Sequence, residues 1–412
     1  MRSFPGALAL AAAAAVAAAF ACGQTTSSAP SPAAATVPAI TAADLQLRLN
    51  IIADDSMMGR ETGSDGDYKT AEYIASEFKR LGLEPAGENG TYFQTVPFWR
   101  VGVDPRSDLS VGDNRLHLRS DFLPAVFTVP LRSTARVRAV FAGMANDSTT
   151  WISPADGRDR IVIIGVPRGM SPRGFPLPVM RFPGAAAIVV AALEQISAEQ
   201  AARIMEGRPV LDTSYNAAWP TFFYTTRHAA GLMLGGPVES LRPGSLGPDM
   251  SMQIGFTRSR VAFPARNVVG ILRGSDPALR GEYVALTAHN DHVGFDHFPV
   301  DHDSIRAFDR VIRPMGADSP PRDPTSGEWT QINTILDSLR RVHRPRLDSI
   351  RNGADDDGSG TVSILEIAEA MARAPQRPRR SILFVSHTAE EAGLLGSAWF
   401  TDHPTVPIDS IE

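Results

Sequence analysis

Three short segments concentrate side chains able to hold a divalent metal and to move protons. The first is His289-Asn290-Asp291-His292-Val293-Gly294. The second runs from Asn352 to Gly360 through Asp355-Asp356-Asp357, and the third is Glu390-Glu391-Ala392-Gly393-Leu394-Leu395-Gly396-Ser397. Imidazole plus carboxylate is a zinc-type ligand set, and one carboxylate can bridge two ions about 3.5–4 Å apart. Such a pair yields hydroxide near neutral pH and polarises a carbonyl, provided a neighbouring base takes the proton of the water. Adjacent glutamates divide that labour well, because successive side chains of an extended segment point in different directions. The chemistry is metal-assisted hydrolysis. Taken alone, the Asp triplet is a solvated turn before a helix and the Glu pair a charged surface turn. Taken in order, each at the end of a strand or the start of a helix, the three read as one site.

The elements around them must bring that site together. Asn267–Leu272 and Tyr283–Thr287 read as buried strands joined by a turn containing Gly274 and Pro277. Thr361–Arg373 reads as a helix with Val362, Leu365, Ala368 and Met371 inward, stopped by Pro375, and Ser381–Ser386 as another apolar strand. Long apolar strands with an intervening helix argue for an α/β fold whose sheet is covered on both faces, with ligands bound beyond the carboxyl ends of the strands. Upstream, a helix is predicted over Ala42–Ala53 and a Gly/Ser-rich turn over Gly59–Gly66. A second helix carries Ala71, Ile74, Ala75, Phe78 and Leu81 on one stripe and stops at Gly82. Between Pro97 and Phe263 the texture changes to short β-branched runs, among them Val137–Phe141, Ile161–Val166, Ile188–Val190 and Thr221–Tyr224. That region reads as a separate β-rich domain.

At 412 residues, 43% hydrophobic and 21% charged, the chain is globular in composition, with room for two to three domains. A net charge of -5 gives no electrostatic footprint for nucleic acid. Lys69 and Lys79 are the only lysines among 40 basic residues. The single cysteine, Cys22, excludes a disulfide framework and any cysteine-based zinc site. Met1–Ala21 reads as an export signal, too short to span a bilayer. Cys22 stands where that leader ends, in a stretch that resembles a bacterial lipobox; plain cleavage after Ala21 is the alternative. A tether rich in Ser, Thr, Ala and Pro follows, so the expected location is the cell envelope, lipid-anchored through Cys22, or the medium.

The three segments resemble the metal motifs of metallopeptidase family 28, the di-zinc exopeptidases. That family includes leucyl-type aminopeptidases, glutamate carboxypeptidase and glutaminyl cyclases, with the transferrin receptor as a non-catalytic relative. Met58-Gly59-Arg60-Glu61-Thr62-Gly63-Ser64 and Gly82-Leu83-Glu84-Pro85-Ala86-Gly87 resemble the start of its peptidase domain, and the β-rich stretch resembles the protease-associated domain often inserted there. The resemblance implies a mixed sheet sandwiched between helices and two zinc ions. It also implies a division into signal 1–21, tether 22–40, peptidase 41–97, protease-associated insert 98–263 and peptidase 264–412. By the same resemblance His289 binds one zinc, Asp356 bridges both and Glu391 binds the second. Glu390 is then the general base and acid, and Asp291 hydrogen-bonds the His289 ring. A strained or cis peptide is implied after Asp356, with Asp355 and Asp357 structural; His292 stays unassigned.

The implied activity is removal of N-terminal residues from peptides. A carboxypeptidase or dipeptidase on the same metals is the alternative within the class, and a non-catalytic receptor the alternative outside it. Two departures stand out. A connector over about 296–347 separates the first two motifs, with an amphipathic helix Trp329–Val342 carrying Trp329, Ile332, Leu336 and Leu339 on one stripe. It reads either as a cap on its own core or as a partial lid over the site. His297 and His302 with Asp301 and Asp303 read as solvated loop residues or as a further metal site. The resemblance also calls for an aspartate and a histidine after the glutamate pair that the 412 residues do not supply. The expectation from sequence is therefore a chain truncated at its C-terminus, with weak metal binding and no activity by itself.

Overall fold

The computed structural model describes residues 36–125, 132–168, 181–212, 220–320 and 322–412. The leader, Cys22 and most of the tether lie outside the described residues. Among the described residues no helix is long and apolar enough to cross a membrane.

A five-stranded mixed sheet carries the site. Ala265–Leu272 lies at its centre, and Phe93–Val96 and Glu84–Pro85 pair antiparallel with its two ends. On the other side Ser381–His387 runs antiparallel to Ala265–Leu272, and Tyr283–His289 runs parallel to Ser381–His387 with His289 opposite His387. The runs predicted as Asn267–Leu272, Tyr283–Thr287 and Ser381–Ser386 thus form strands one or two residues longer. The strands before and after the Gly274 turn are not neighbours, because Ser381–His387 slots between them.

Alternating side chains of these strands go to opposite faces, and both faces are covered. One face, with Val268, Leu272, Ile382 and Phe384, packs against Ile74, Phe78 and Leu81 of the helix Asp65–Leu81 and Leu365 of the helix Gly360–Arg373. The other, with Val269, Ile271, Leu383 and Val385, packs against Phe400 and Val406. Asp65–Leu81 is capped by Ser64, whose side chain accepts from the Asp67 N–H, and it ends at Gly82 in the left-handed conformation, as its sequence requires. The first helix, Ala42–Ile52, is anchored by one residue. Arg48, 1% exposed, reaches Glu77, Glu366 and Glu369, the last at 2.6 Å. It ties three helices together.

Every strand of a second, ten-stranded sheet falls between Phe98 and Arg260. Arg132–Met144, Ile161–Gly165, Ala187–Ala191 and Thr221–Thr225 run parallel to one another there, each holding one of the β-branched runs read from sequence. The connector after the first motif holds two helices, His302–Ile312 and Ser326–Val342, between the antiparallel strands Phe295–Asp301 and Leu347–Ile350. Ile332 packs with Ala307 and Ile312, and Ile335 and Leu336 join them. Trp329 remains 47% exposed. The long helix therefore caps a small core of its own, with a stripe shifted from Trp329 toward Ile335. Asp303 is buried and meets Arg340, Arg346 and His343, while His302 meets Asp348. Asp301 and Asp303 are thus held by arginines rather than solvated, and the His297 side chain lies outside what is described.

Candidate metal and catalytic centre

The three motifs converge at one end of the five-stranded sheet. Tyr283–His289 delivers the first, Ser381–His387 runs into the third, and the second opens the helix Gly360–Arg373. Asp357 stitches two of them together: its Oδ2 accepts from the His289 N–H at 3.0 Å and its Oδ1 from the Gly360 N–H at 3.0 Å. Ser359 donates to the Asp355 carbonyl at 2.9 Å. The Asp357 side chain thus ties the loop to the first motif, whereas Asp355 contributes its backbone carbonyl. The Asp356–Asp357 peptide is cis.

Asp356 stands between two groups of donors. On one side its Oδ1 lies 3.1 Å from His289 Nε2, and Glu390 Oε2 lies 3.8 Å from the same nitrogen. On the other side, donor atoms of His292, Asp356 and Glu391 all fall within 4.8 Å of one another, with His292 Nδ1 2.6 Å from Glu391 Oε1. The donor set is imidazole and carboxylate throughout, which fits zinc. His292 is the residue that sequence reasoning left without a part. Gly353 packs against it: its φ is +58°, and a Cβ there would lie 2.5 Å from the His292 ring. Only glycine lets the second motif close on that imidazole.

Asp291 is fully buried and acts mainly on the third motif. Its Oδ1 accepts from the Glu390 N–H at 3.0 Å, and its Oδ2 from the Glu391 N–H at 3.3 Å and the Thr62 hydroxyl at 3.0 Å. The His289 ring meets Asp291 through Nδ1, 3.2 Å from its carbonyl oxygen and 3.6 Å from Oδ1. Burial disfavours the imidazolium of His289, but Asp291, Asp357 and Glu390 outweigh it and lift the pKa to about 9. Burial, followed by the charges of Asp356, Asp291 and Glu390, raises Glu391 to about 7. Both shifts reflect burial and the close approach of several carboxylates to one another and to the His289 ring.

Two further residues fix the frame. Arg60, fully buried, donates to the carbonyls of Ile52, Asn290 and Gly353 at 2.9, 2.8 and 2.8 Å, joining the first and second motifs. Asn267 accepts from the Thr388 N–H at 3.0 Å and donates to Gln94 and to the Gly396 carbonyl at 2.9 Å each, joining the central strand to the third motif. A Cβ at Gly396 would lie 1.9 Å from the Thr388 carbonyl oxygen, so the last glycine of that motif is demanded by packing.

Residues 267–412 match the family model described as Peptidase family M28. Curated relatives align over shorter stretches. A probable aminopeptidase of Saccharomyces cerevisiae, YDR415C, is 30% identical over 128 residues, 28% of this chain and 31% of its own. Leucine aminopeptidase 1 of Penicillium rubens is 55% identical over 49 residues, 11% of this chain and 13% of its own. A vacuolar membrane protease of Pyricularia oryzae is 32% identical over 91 residues, 21% of this chain and 9% of its own. The chain thus spans under a third of each of these relatives. Among solved structures, the aminopeptidase from Aneurinibacillus sp. strain AM-1 superposes with a TM-score of 0.44 at 15% identity, covering 90% of this chain and 67% of that one.

Proposed function

Taking residues 267–412 as a segment of peptidase family M28, we propose that the protein is a zinc-dependent aminopeptidase that hydrolyses the N-terminal peptide bond of its substrates. The observation that carries this is the sharing of Asp356 between two donor groups beside Glu390. His289 with Asp356 would hold one zinc ion, and His292, Asp356 and Glu391 a second. Zinc so held supplies Lewis acidity toward a carbonyl oxygen and eases the deprotonation of water.

The chain's own residues do the rest. Glu390 has its backbone fixed by Asp291 and its carboxylate free to take a proton from the attacking water and return it to the leaving amine. Asp291 and Asp357 orient the His289 segment. A non-catalytic receptor on this fold would be expected to lack the base or the ligands, and those within these 412 residues, Glu390, His289, Asp356 and Glu391, are present. The leader-like Met1–Ala21 and Cys22 support an exported, lipid-anchored protein, which intact-mass measurement of mature Cys22 tests.

The function is tested with aminoacyl p-nitroanilides and their N-acetyl counterparts, before and after chelation. Release that needs the free amine, stops with chelator and returns with zinc is expected. Chelator-resistant release, or equal cleavage of N-blocked substrates, overturns the proposal.

A further inference from the structure

Two cavities flank the donor cluster, and His292 lines both. The larger, about 390 Å³, is bounded by Glu391, by Phe295 and by parts of the second sheet such as Tyr224. The smaller, about 290 Å³, is walled by the connector. Val300 comes from the strand Phe295–Asp301, Ile305 from the first turn of the helix His302–Ile312, and Ile350 from the strand Leu347–Ile350. The His292 ring is the partition. Its Nδ1 lies 2.6 Å from Glu391 Oε1, while Cγ and Cδ2 pack on Gly353, which lines the smaller cavity.

The polar groups of the smaller cavity are already engaged. Asp348 accepts from the Ile350 N–H at 2.8 Å and lies 3.1 Å from His302 Nε2. Arg351 pairs with Asp296, and the Asn352 amide donates to the Ala53 carbonyl and to Asp55 at 2.9 Å each. What remains open to a ligand is aliphatic: Val300 and Ile350 are half-buried and Ile305 is 36% exposed. One exposed isoleucine is ordinary. Three aliphatic side chains from three elements around one cavity, with a donor residue in its wall, make a subsite.

An extended peptide whose scissile amide meets the donor cluster turns the side chains on either side of that amide in opposite directions. An α-ammonium group is poorly accommodated against aliphatic walls. The N-terminal residue therefore belongs in the larger, charged cavity, where Glu61, Glu206 and Glu391 stand alongside three arginines. We propose that the smaller cavity receives the side chain of the second residue, the one released with the leaving amine, and that the protein prefers a branched aliphatic side chain there. The proposal rests on the peptidase reading above, and it makes the connector a determinant of specificity.

The test uses dipeptide amides that differ at one position. Ala-Leu-amide against Ala-Ala-amide reads the second residue, and Leu-Ala-amide against Ala-Ala-amide reads the first. The wild-type protein is expected to favour Ala-Leu-amide over Ala-Ala-amide by about 10- to 100-fold in kcat/KM, the range that added methylenes command in an apolar pocket. Ile305→Asp places a carboxylate at an exposed position in the first turn of a helix, where it is tolerated. It should bring the second-residue ratio close to one while the first-residue ratio holds. A second-residue ratio near one in the wild type, an unchanged ratio in Ile305→Asp, or a change in the first-residue ratio instead overturns the proposal. Saturation-transfer NMR with N-acetyl-leucinamide needs no turnover, and the blocked amine keeps the probe out of the place of the α-ammonium group. Transfer to the leucine methyls that is lost in Ile305→Asp supports the subsite even if no peptide is cleaved, in which case only the peptidase reading fails. Equal transfer from both proteins, or none from either, sinks the assignment.

Discussion

The Glu390 N–H donates to Asp291 Oδ1 at 3.0 Å, joining two motifs almost a hundred residues apart through a carboxylate with no exposed surface. The other oxygen of Asp291 takes the Glu391 N–H and the Thr62 hydroxyl. One buried acid therefore sets the positions of both the proposed base and a proposed ligand. Asp291→Asn keeps the shape but turns an amide N–H₂ toward one of these donors. A loss of about 1–3 kcal/mol in urea unfolding is expected, with a fall in turnover. Unchanged stability would show that the Asp291 contacts do not hold the loop.

Glu390 and Glu391 should separate cleanly. In a complete, active protein Glu390→Gln is expected to retain metal while turnover drops by about 10²–10⁴. Glu391→Gln and His292→Ala should each lower zinc content at equilibrium, because both donors lie in the cluster with Asp356. Elemental analysis beside steady-state kinetics decides. Zinc lost from Glu390→Gln, or full zinc in His292→Ala, contradicts these assignments.

Arg48 is expected to matter more to stability than any surface pair. Arg48→Met strands Glu366, 1% exposed, without its cation, while Glu369 keeps Arg80 at 2.8 Å. The expected cost is about 3–5 kcal/mol in chemical denaturation. Adding Glu366→Gln should recover much of it, and no recovery would mean that lost packing dominates.

Asp67 supplies the pH dependence. Burial, with the nearby charge of Asp291, raises its carboxyl to about 8. The folded state thus holds a proton that the unfolded chain releases near an ordinary aspartate pKa of about 4. Stability from this group is full below that value and declines as pH rises to about 8. Asp67→Asn should flatten that decline, with the largest relative gain above pH 8, as read from urea midpoints at pH 5 and pH 9. Parallel pH profiles for the two proteins would rule it out.

The strands, the helix Gly360–Arg373 and the three motifs were legible because apolar period and ligand spacing are local properties of the chain. Strand order was not, since nothing near Tyr283–His289 states that Ser381–His387 will lie beside it. Arg60 was equally hidden: it reads as one surface arginine in a Gly-rich turn, and its worth lies in carbonyls contributed from more than two hundred residues away. The stripe of Ser326–Val342 moved by part of a turn because its partner helix, His302–Ile312, was not read from sequence, so the packing face could not be fixed. His292 stayed unassigned because its value depends on Glu391, which arrives in the turn after the strand Ser381–His387.

The meeting of Val96 with Ala265 has a consequence for modularity. These residues are paired neighbours in the first sheet, yet residues 97–264 lie between them in the chain, so the excursion departs and returns at one point. Topologically the two strands are the arms of a hairpin whose loop has been replaced by a whole sheet. In topology alone such a graft departs and returns without rethreading the sheet that bears the proposed ligands, although Phe98 and Leu211 pack with Val96, Ala265 and Ala389 at the join. Arg100, Arg208 and Tyr224 travel with the graft while Asp356 and the glutamate pair stay. The larger cavity beside the donor cluster is thus walled partly by the graft, whereas the proposed ligands and base all lie outside it.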